Sequence, residues 1–348
     1  MELTKKDTKM LQGLSVLAMV CLHLFDRYDH EGLFQPCVYL WGYPLSLYFG
    51  QLSDFCVMGF AFCSGYSHLF MYDTMPSEQY RQRSWKRIAN LYCNYWIILN
   101  LFTLVSILMG QADRIPGSIG SYLGHFLGLL HTYNESWWYL FAYVVLVAAS
   151  PQILRWVKNH HSIPVLLASM LIYVAAFLVR YKSGWNNWFA VQFGKLGMTF
   201  FEYVVGVVFF KEKLFTQLHG IDSIIRQKIG KACYTIGWFL VFMLLLIERT
   251  IVVPNMIAAP FSGLVIIIGF SLMNKPLWFE NLFLLLGKHS TNIWLTHLFF
   301  YAVIFVDFIY IAKYPVLILL FMMLITISLS CIIHKVMKPI QKHLSKAE

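Results

Sequence analysis

Residues 314–334 read YPVLILLFMMLITISLSCIIH, 21 residues without one Asp, Glu, Lys or Arg. About 20 such residues, rising 1.5 Å each, cross the roughly 30 Å hydrocarbon core of a bilayer. A run of this kind belongs in lipid. Working outward, residues 88–112, 115–134, 136–154, 159–179 and 250–274 are also free of charge. The chain as a whole agrees: 59% of its 348 residues are hydrophobic, 13% are charged and the mean hydropathy is +0.62. Soluble domains carry about 25% charged residues. Length alone would allow two soluble domains, but no polar stretch is long enough to form one.

The pattern predicts an all-α polytopic membrane protein with a single domain over residues 1–348. About ten transmembrane helices are expected, near residues 10–27, 43–71, 87–110, 136–155, 162–181, 189–210, 232–248, 255–273, 289–311 and 315–335. An even count puts both termini on one side. That side then holds Lys5, Lys6, Lys9, Arg81, Arg83, Lys86, Arg87, Arg155, Lys158, Lys211, Lys213, Arg226, Lys228, Lys231, Lys275, Lys288, Lys335, Lys338, Lys342 and Lys346, which is 20 of the 27 basic residues. Cytoplasmic loops carry the Lys/Arg excess. The expected location is therefore the inner (plasma) membrane, multi-pass, with both termini cytoplasmic. The net charge of +10 lies between spans and gives no nucleic-acid footprint. Residues 116–131 are apolar but carry Pro116, Gly117, Gly120, Gly124 and Gly128, and read as a re-entrant or interfacial segment on the outer side. The basic N-terminus and following apolar run lack a small-residue cleavage site, so they read as an uncleaved first helix. The seven cysteines show no CxxC spacing, and neither metal nor disulfide framework is implied.

Ionisable groups inside a span are costly and mark functional candidates. His23 lies fourteen residues beyond Lys9, about 20 Å along a helix. It can bond between helices, or serve as a general base, since imidazole accepts a hydroxyl proton near neutral pH. Arg81, Arg83, Lys86 and Arg87 precede an apolar run. They can simply set topology, or bind phosphate, for which the planar guanidinium is suited. Arg83 and Arg87, at i and i+4, share a helix face. Ser290, Asn292, Thr296 and His297 carry polar groups into another span. Interhelical hydrogen bonding is the ordinary reading, and a cavity lining Asn292 and His297 the sharper one. Trp137, Trp138 and Tyr139 read as an aromatic belt or as a sugar-stacking surface. Glu202, Asp54 and Asp307 fall inside or at the ends of spans. His125 and His131, on the outer segment, are candidates to face an acceptor.

Several blocks, in order, resemble the acyltransferase-3 family of integral-membrane O-acyltransferases. Residues 9–23, KMLQGLSVLAMVCLH, are similar to its first helix, a Gly-Leu step followed by a histidine. Residues 60–66, FAFCSGY, resemble its aromatic run ending in Ser-Gly-Tyr, and residues 83–88, RSWKRI, its basic third-helix start. Trp138-Tyr139-Leu140 resembles its Trp-Phe/Tyr-Leu step, and Gly287-Lys288-His289-Ser290 with His297 its late Gly-x-x-Ser…His signature. The resemblance implies acyl transfer from cytoplasmic acyl-CoA, commonly acetyl-CoA, to hydroxyls of surface polysaccharides or lipid-linked saccharides. It implies His23 as the catalytic base and Arg83 and Arg87 as essential. Many members carry Arg before the Gly-Leu step, where this chain has Gln12, with Lys9 one turn earlier.

The expected activity is thus acyl-CoA-dependent O-acetyl transfer to a glycan in the cell envelope. His23, His297 and Asn292 are expected to be catalytic. Arg83, Arg87, Lys86 and Arg81 are expected to hold the donor, and Trp138, Tyr139 and Ser290 the acceptor. Acyl-CoA is a co-substrate and no bound cofactor is expected. The partners are acyl-CoA, a saccharide or lipid-linked glycan and the lipid bilayer. Some members carry an appended hydrolase-like domain; none is expected here, and a standalone membrane domain would have to complete transfer itself or hand the acyl group on. The alternative is a transporter or flippase for a lipid-linked saccharide, but the paired broken helices of transporter repeats are not seen.

Overall fold

The computed structural model describes residues 2–30, 32–252, 256–306 and 308–346. Asp307 and the side chains of Lys342 and Lys346 lie outside the described residues. Among the described residues the regular structure is helical apart from one two-stranded antiparallel hairpin, β1 (Tyr39–Leu40) and β2 (Tyr43–Pro44). The helices are α1 (Lys5–Phe25), α2 (Leu45–Leu52), α3 (Cys56–Thr74), α4 (Ser77–Leu108), α5 (Ile119–Phe126), α6 (Trp138–Asn159), α7 (Ser162–Tyr181), α8 (Trp188–Lys211), α9 (Leu214–Ile247), α10 (Ala259–Leu272), α11 (Leu277–Leu298) and α12 (Pro315–Lys346). Among the described residues, eight helical segments are long and apolar enough to cross a membrane. The chain is an all-α polytopic membrane protein.

Local chemistry sets the helix ends. Thr4 caps α1 in a reciprocal box: its hydroxyl accepts from Asp7 N at 3.2 Å, and the Asp7 carboxylate accepts from Thr4 N at 2.8 Å. Asn187 caps α8 and Ser118 caps α5 in the same one-sided way. Gly230, with φ at 77°, breaks α9 into two helices. The basic stretch before that break, expected to lie between two spans, is itself helical.

Two expected spans come out differently. Residues 255–273 yield only the 14-residue α10. Residues 289–311 are divided: α11 begins earlier, at Leu277, then widens into a π turn at Phe299–Val303, and a 3-10 turn follows at Ile309–Ala312. α11 is long enough to cross but carries Glu280 and Lys288, which lower its hydropathy. Residues 116–131 hold no helix long enough to cross: α5 has eight residues, about 12 Å of rise. Ile119, Leu123 and Leu127 expose an apolar stripe along it, as an interfacial helix does.

Contacts divide the chain into two interleaved units. One comprises Met1–Asp29, Pro36–Met75 and Ser150–Lys288, and the other His30–Gln35, Pro76–Ala149 and His289–Glu348. In the first unit, α3 and α7 both pack on α8, and α1 packs on α2 and α3. Backbones meet there through glycine. A Cβ on Gly13 would lie 2.1 Å from Phe283 O, and one on Gly287 2.1 Å from Lys9 O, so α1 and the first half of α11 touch without side chains between them. In the second unit, α4 packs on α12 and carries α5. Tyr95 Oη donates to His125 O at 2.6 Å and Trp96 Nε1 to Phe126 O at 2.8 Å.

Candidate functional site

In the first unit, His23 sits half-buried on the last turn of α1, two residues before Phe25. At the other end of the helix, Lys9 Nζ donates to Gln12 Oε1 at 3.0 Å. Polar groups gather where α1 ends. A Cβ on Gly50 would lie 2.6 Å from Asp26 N, so α2 crosses tightly there. Burial pushes the Asp26 carboxyl up, while a hydrogen bond from Gln51 and the charge of Arg249 pull it down. Gln51 Nε2 donates to Tyr28 Oη at 3.0 Å. Arg249, in the π turn that follows α9, donates to the Asp54 carboxylate in a buried ion pair.

In the second unit, the four cations before the third expected span lie on the first three turns of α4, and the helix sorts them. Arg81 pairs with Glu78 at 2.9 Å on one side. Arg83 and Arg87 lie on the opposite face, with Lys86 beside them. Among the described residues Arg83 has no ion-pair partner. Arg87 acts electrostatically on the Tyr143 hydroxyl of α6. Asn90 and Asn94 extend the Arg83/Arg87 face, all four falling within about a 60° arc at 3.6 residues per turn. Exposure falls along it, from exposed Arg83 to buried Asn94.

Asn94 meets α11. Its Nδ2 donates to Asn292 Oδ1 at 2.5 Å, and Asn292 Nδ2 donates to Ser330 Oγ of α12 at 2.8 Å. Ser330 Oγ also bonds His289 Nδ1 at 2.8 Å. Asn292 is therefore engaged at both ends of its carboxamide and ties three helices together. Ser290 is buried beside it in sequence. His297 is fully buried, with Nδ1 2.9 Å from Trp294 O and 3.1 Å from Ile293 O. A carbonyl only accepts, so Nδ1 carries the proton and Nε2 presents a lone pair. The segment before α6 clamps this stretch: Asn134 Nδ2 and Trp137 Nε1 both donate to Leu295 O, at 3.2 and 2.9 Å, and Trp294 Nε1 donates to Ser136 O at 2.8 Å. Trp138 and Tyr139 stay half-buried, and the Tyr139 ring meets Trp294 edge-on at 5.8 Å. The structure thus places Arg83, Arg87, Lys86, Asn292, His297, Ser290, Trp138 and Tyr139 in one unit, and His23 in the other.

A family model described as an acyltransferase domain, of the acyltransferase-3 type, matches residues 8–335. The chain belongs to that family. It is an acyltransferase embedded in a membrane. No curated protein and no solved structure matches the chain.

Sequence reasoning missed several polar residues of this acyltransferase. Asn90 and Asn94 were findable, since they repeat the Arg83/Arg87 face at i+7 and i+11. Trp137 was read with its neighbours as belt or sugar surface, but its indole is spent on Leu295 O. His125, a candidate to face an acceptor, is fully buried against Tyr133, with ring centroids 3.4 Å apart. Its Nδ1 donates to Ser121 O at 2.8 Å and its Nε2 accepts from Tyr133 N at 3.1 Å, so it fastens the segment instead. Burial holds its imidazole below the ordinary range, partly offset by the Ser121 bond.

Proposed function

We propose that this acyltransferase moves an acyl group, acetyl by the family's habit, from cytoplasmic acyl-CoA to a hydroxyl of a surface glycan or lipid-linked saccharide. Arg83 and Arg87, with Lys86 beside them, bind the donor phosphates by charge-assisted hydrogen bonds. Arg81 is occupied with Glu78 and contributes field only. His23 takes the proton from the acceptor hydroxyl. The oxygen attacks the thioester carbonyl, the C–S bond breaks, and the CoA sulfur leaves with the proton that His23 returns. His297 presents Nε2 to the reacting groups as an acceptor, while Asn292 fixes the helices around it. Trp138, Tyr139 and Ser290 receive the saccharide. The twenty-to-seven split of basic residues supports a plasma-membrane location with cytoplasmic termini.

One observation carries this reading: a two-arginine face on α4 whose outer member has no ion-pair partner among the described residues, while the off-face arginine is neutralised by Glu78. The test uses purified protein in nanodiscs with acetyl-CoA and a saccharide acceptor, following free CoA and the acceptor's mass. Wild type should release CoA and acetylate the acceptor. His23→Ala should do neither at equal thermal stability. Acceptor transport without mass change would sink the proposal.

A further inference from the structure

The face that begins with Arg83 and Arg87 does not stop at its charges. Asn90, one turn further, spends its Nδ2 on Lys86 O at 2.9 Å within its own helix. Asn94 spends its Nδ2 on Asn292. That leaves two carboxamide oxygens, Asn90 Oδ1 and Asn94 Oδ1, both buried and both without a hydrogen-bond partner among the described residues. Buried acceptors are nearly always satisfied, and each exception calls for an explanation. Bonding within α4 and to α11 explains the two amide nitrogens but not the two oxygens. Among the described residues neither side chain makes another hydrogen bond that would occupy them.

We propose that Asn90 and Asn94 bind the pantetheine arm of the acyl-CoA donor, each accepting one of the arm's two amide N–H groups through Oδ1. The proposal rests on the reading that the donor is an acyl-CoA. A diphosphate held at Arg83 and Arg87 puts the arm at the start of the asparagine pair. Along α4 the two residues are one turn apart, about 6 Å of rise, and the arm's two amides are separated by a single β-alanine unit. The order along the helix, cations and then acceptors, matches the order along the ligand, phosphates and then amides. A phosphate from a lipid headgroup would satisfy the arginines equally but brings no pair of N–H donors.

The test measures binding of two probes to the full-length protein in nanodiscs: free CoA, and adenosine 3′,5′-bisphosphate, which has phosphates but no arm. Asn90→Leu and Asn94→Leu should each weaken CoA about three- to ten-fold, the range a single hydrogen bond gives, and leave the bisphosphate unchanged. Arg83→Ala should weaken both probes. Asn94→Leu also removes the bond to Asn292. If its melting temperature falls, Asn90→Leu decides alone, because Asn90 bonds only its own helix. The proposal is overturned if Asn90→Leu binds CoA like wild type, or if it weakens both probes equally. Wild-type protein that binds neither probe overturns the acyl-CoA reading itself.

Discussion

Lys9 and Gln12 form a hydrogen-bonded pair on one face of α1, the ammonium donating to Gln12 Oε1 at 3.0 Å. Position 12 is where the family resemblance leads one to expect arginine. A lone glutamine has no charge to offer an anion. Joined to Lys9, it forms a split cation, with the charge on one side chain and a carboxamide N–H on the other. The three-residue spacing brings both onto one face.

The pair predicts a swap result. Lys9→Met should lower the transfer rate about ten-fold. Gln12→Arg alone should also be poor, since it sets two cations at i and i+3, a repulsive spacing. Lys9→Gln combined with Gln12→Arg should recover most of the rate, a coupling that a double-mutant cycle reads directly. Wild-type rates in Lys9→Met would show that no cation is needed at this point.

The crossing of α1 and α11 predicts a stability effect. A methyl on Gly13 or Gly287 lands 2.1 Å from a backbone carbonyl oxygen, which no rotamer change relieves. Overpacking of this kind costs about 1–3 kcal/mol. Gly13→Ala and Gly287→Ala should each lower the melting temperature in detergent by several degrees. Gly120→Ala, with open space around its Cβ, is the control and should melt like wild type.

The buried ion pair predicts an asymmetry between single and double replacement. Asp54 and Arg249 are each 3% exposed, so removing one partner strands the other. That penalty is about 3–5 kcal/mol, whereas replacing both with apolar residues is often neutral. Asp54→Leu and Arg249→Met should each reduce folded yield sharply, and the double variant should restore it. If the double variant is as unstable as the singles, the surrounding polar groups, and not the pair, need the charges.

How much of this was legible follows from what each residue depends on. Lipid demands charge-free runs, so α7 and α12 could be read from composition alone. Residues 289–311 misled because an apolar run looks the same whether it continues as α-helix or widens into a π turn. α10 came out short because hydropathy says nothing about where a loop hands over to a helix. Within the site, Arg83 and Arg87 were visible as i and i+4, and the same arithmetic reaches Asn90 and Asn94. The Asp54–Arg249 pair joins residues 195 apart in sequence, and no local pattern matches the two. The glycines at 13 and 287 stood out only by resemblance, and the structure gives their physical reason.

His125 predicts a pH dependence outside the spans. Its folded value lies below the ordinary 6.5 because burial disfavours the charged ring. The unfolded segment therefore binds more protons between those values, and stability rises with pH across that window. The docking of α5 on α4 should be at full strength above about pH 6.5 and weaken as pH falls below it. In hydrogen–deuterium exchange the protection factors of residues 117–131, which divide out the intrinsic pH dependence of amide exchange, should fall on acidification in wild type. In His125→Gln this acid dependence should vanish. Protection in wild type that is flat from pH 8 to 5, on the order of the range a histidine covers, would count against the assignment.

His297 predicts a contrast between two amides. Its Nδ1–H is committed to the carbonyls of Ile293 and Trp294, so only Nε2 can face the chemistry. Asparagine can copy the first bond, as Asn90 does to its own i−4 carbonyl, but it ends short of Nε2. Glutamine reaches the Nε2 position with an oxygen that accepts. His297→Asn should therefore fold like wild type and lose at least about a hundred-fold in transfer rate, the low end of what a positioned proton acceptor contributes. His297→Gln should keep a partial rate, and CoA affinity should stay unchanged in both. Full activity in His297→Asn would reduce His297 to an anchor of its own helix turn, and the acceptor role would pass to another residue.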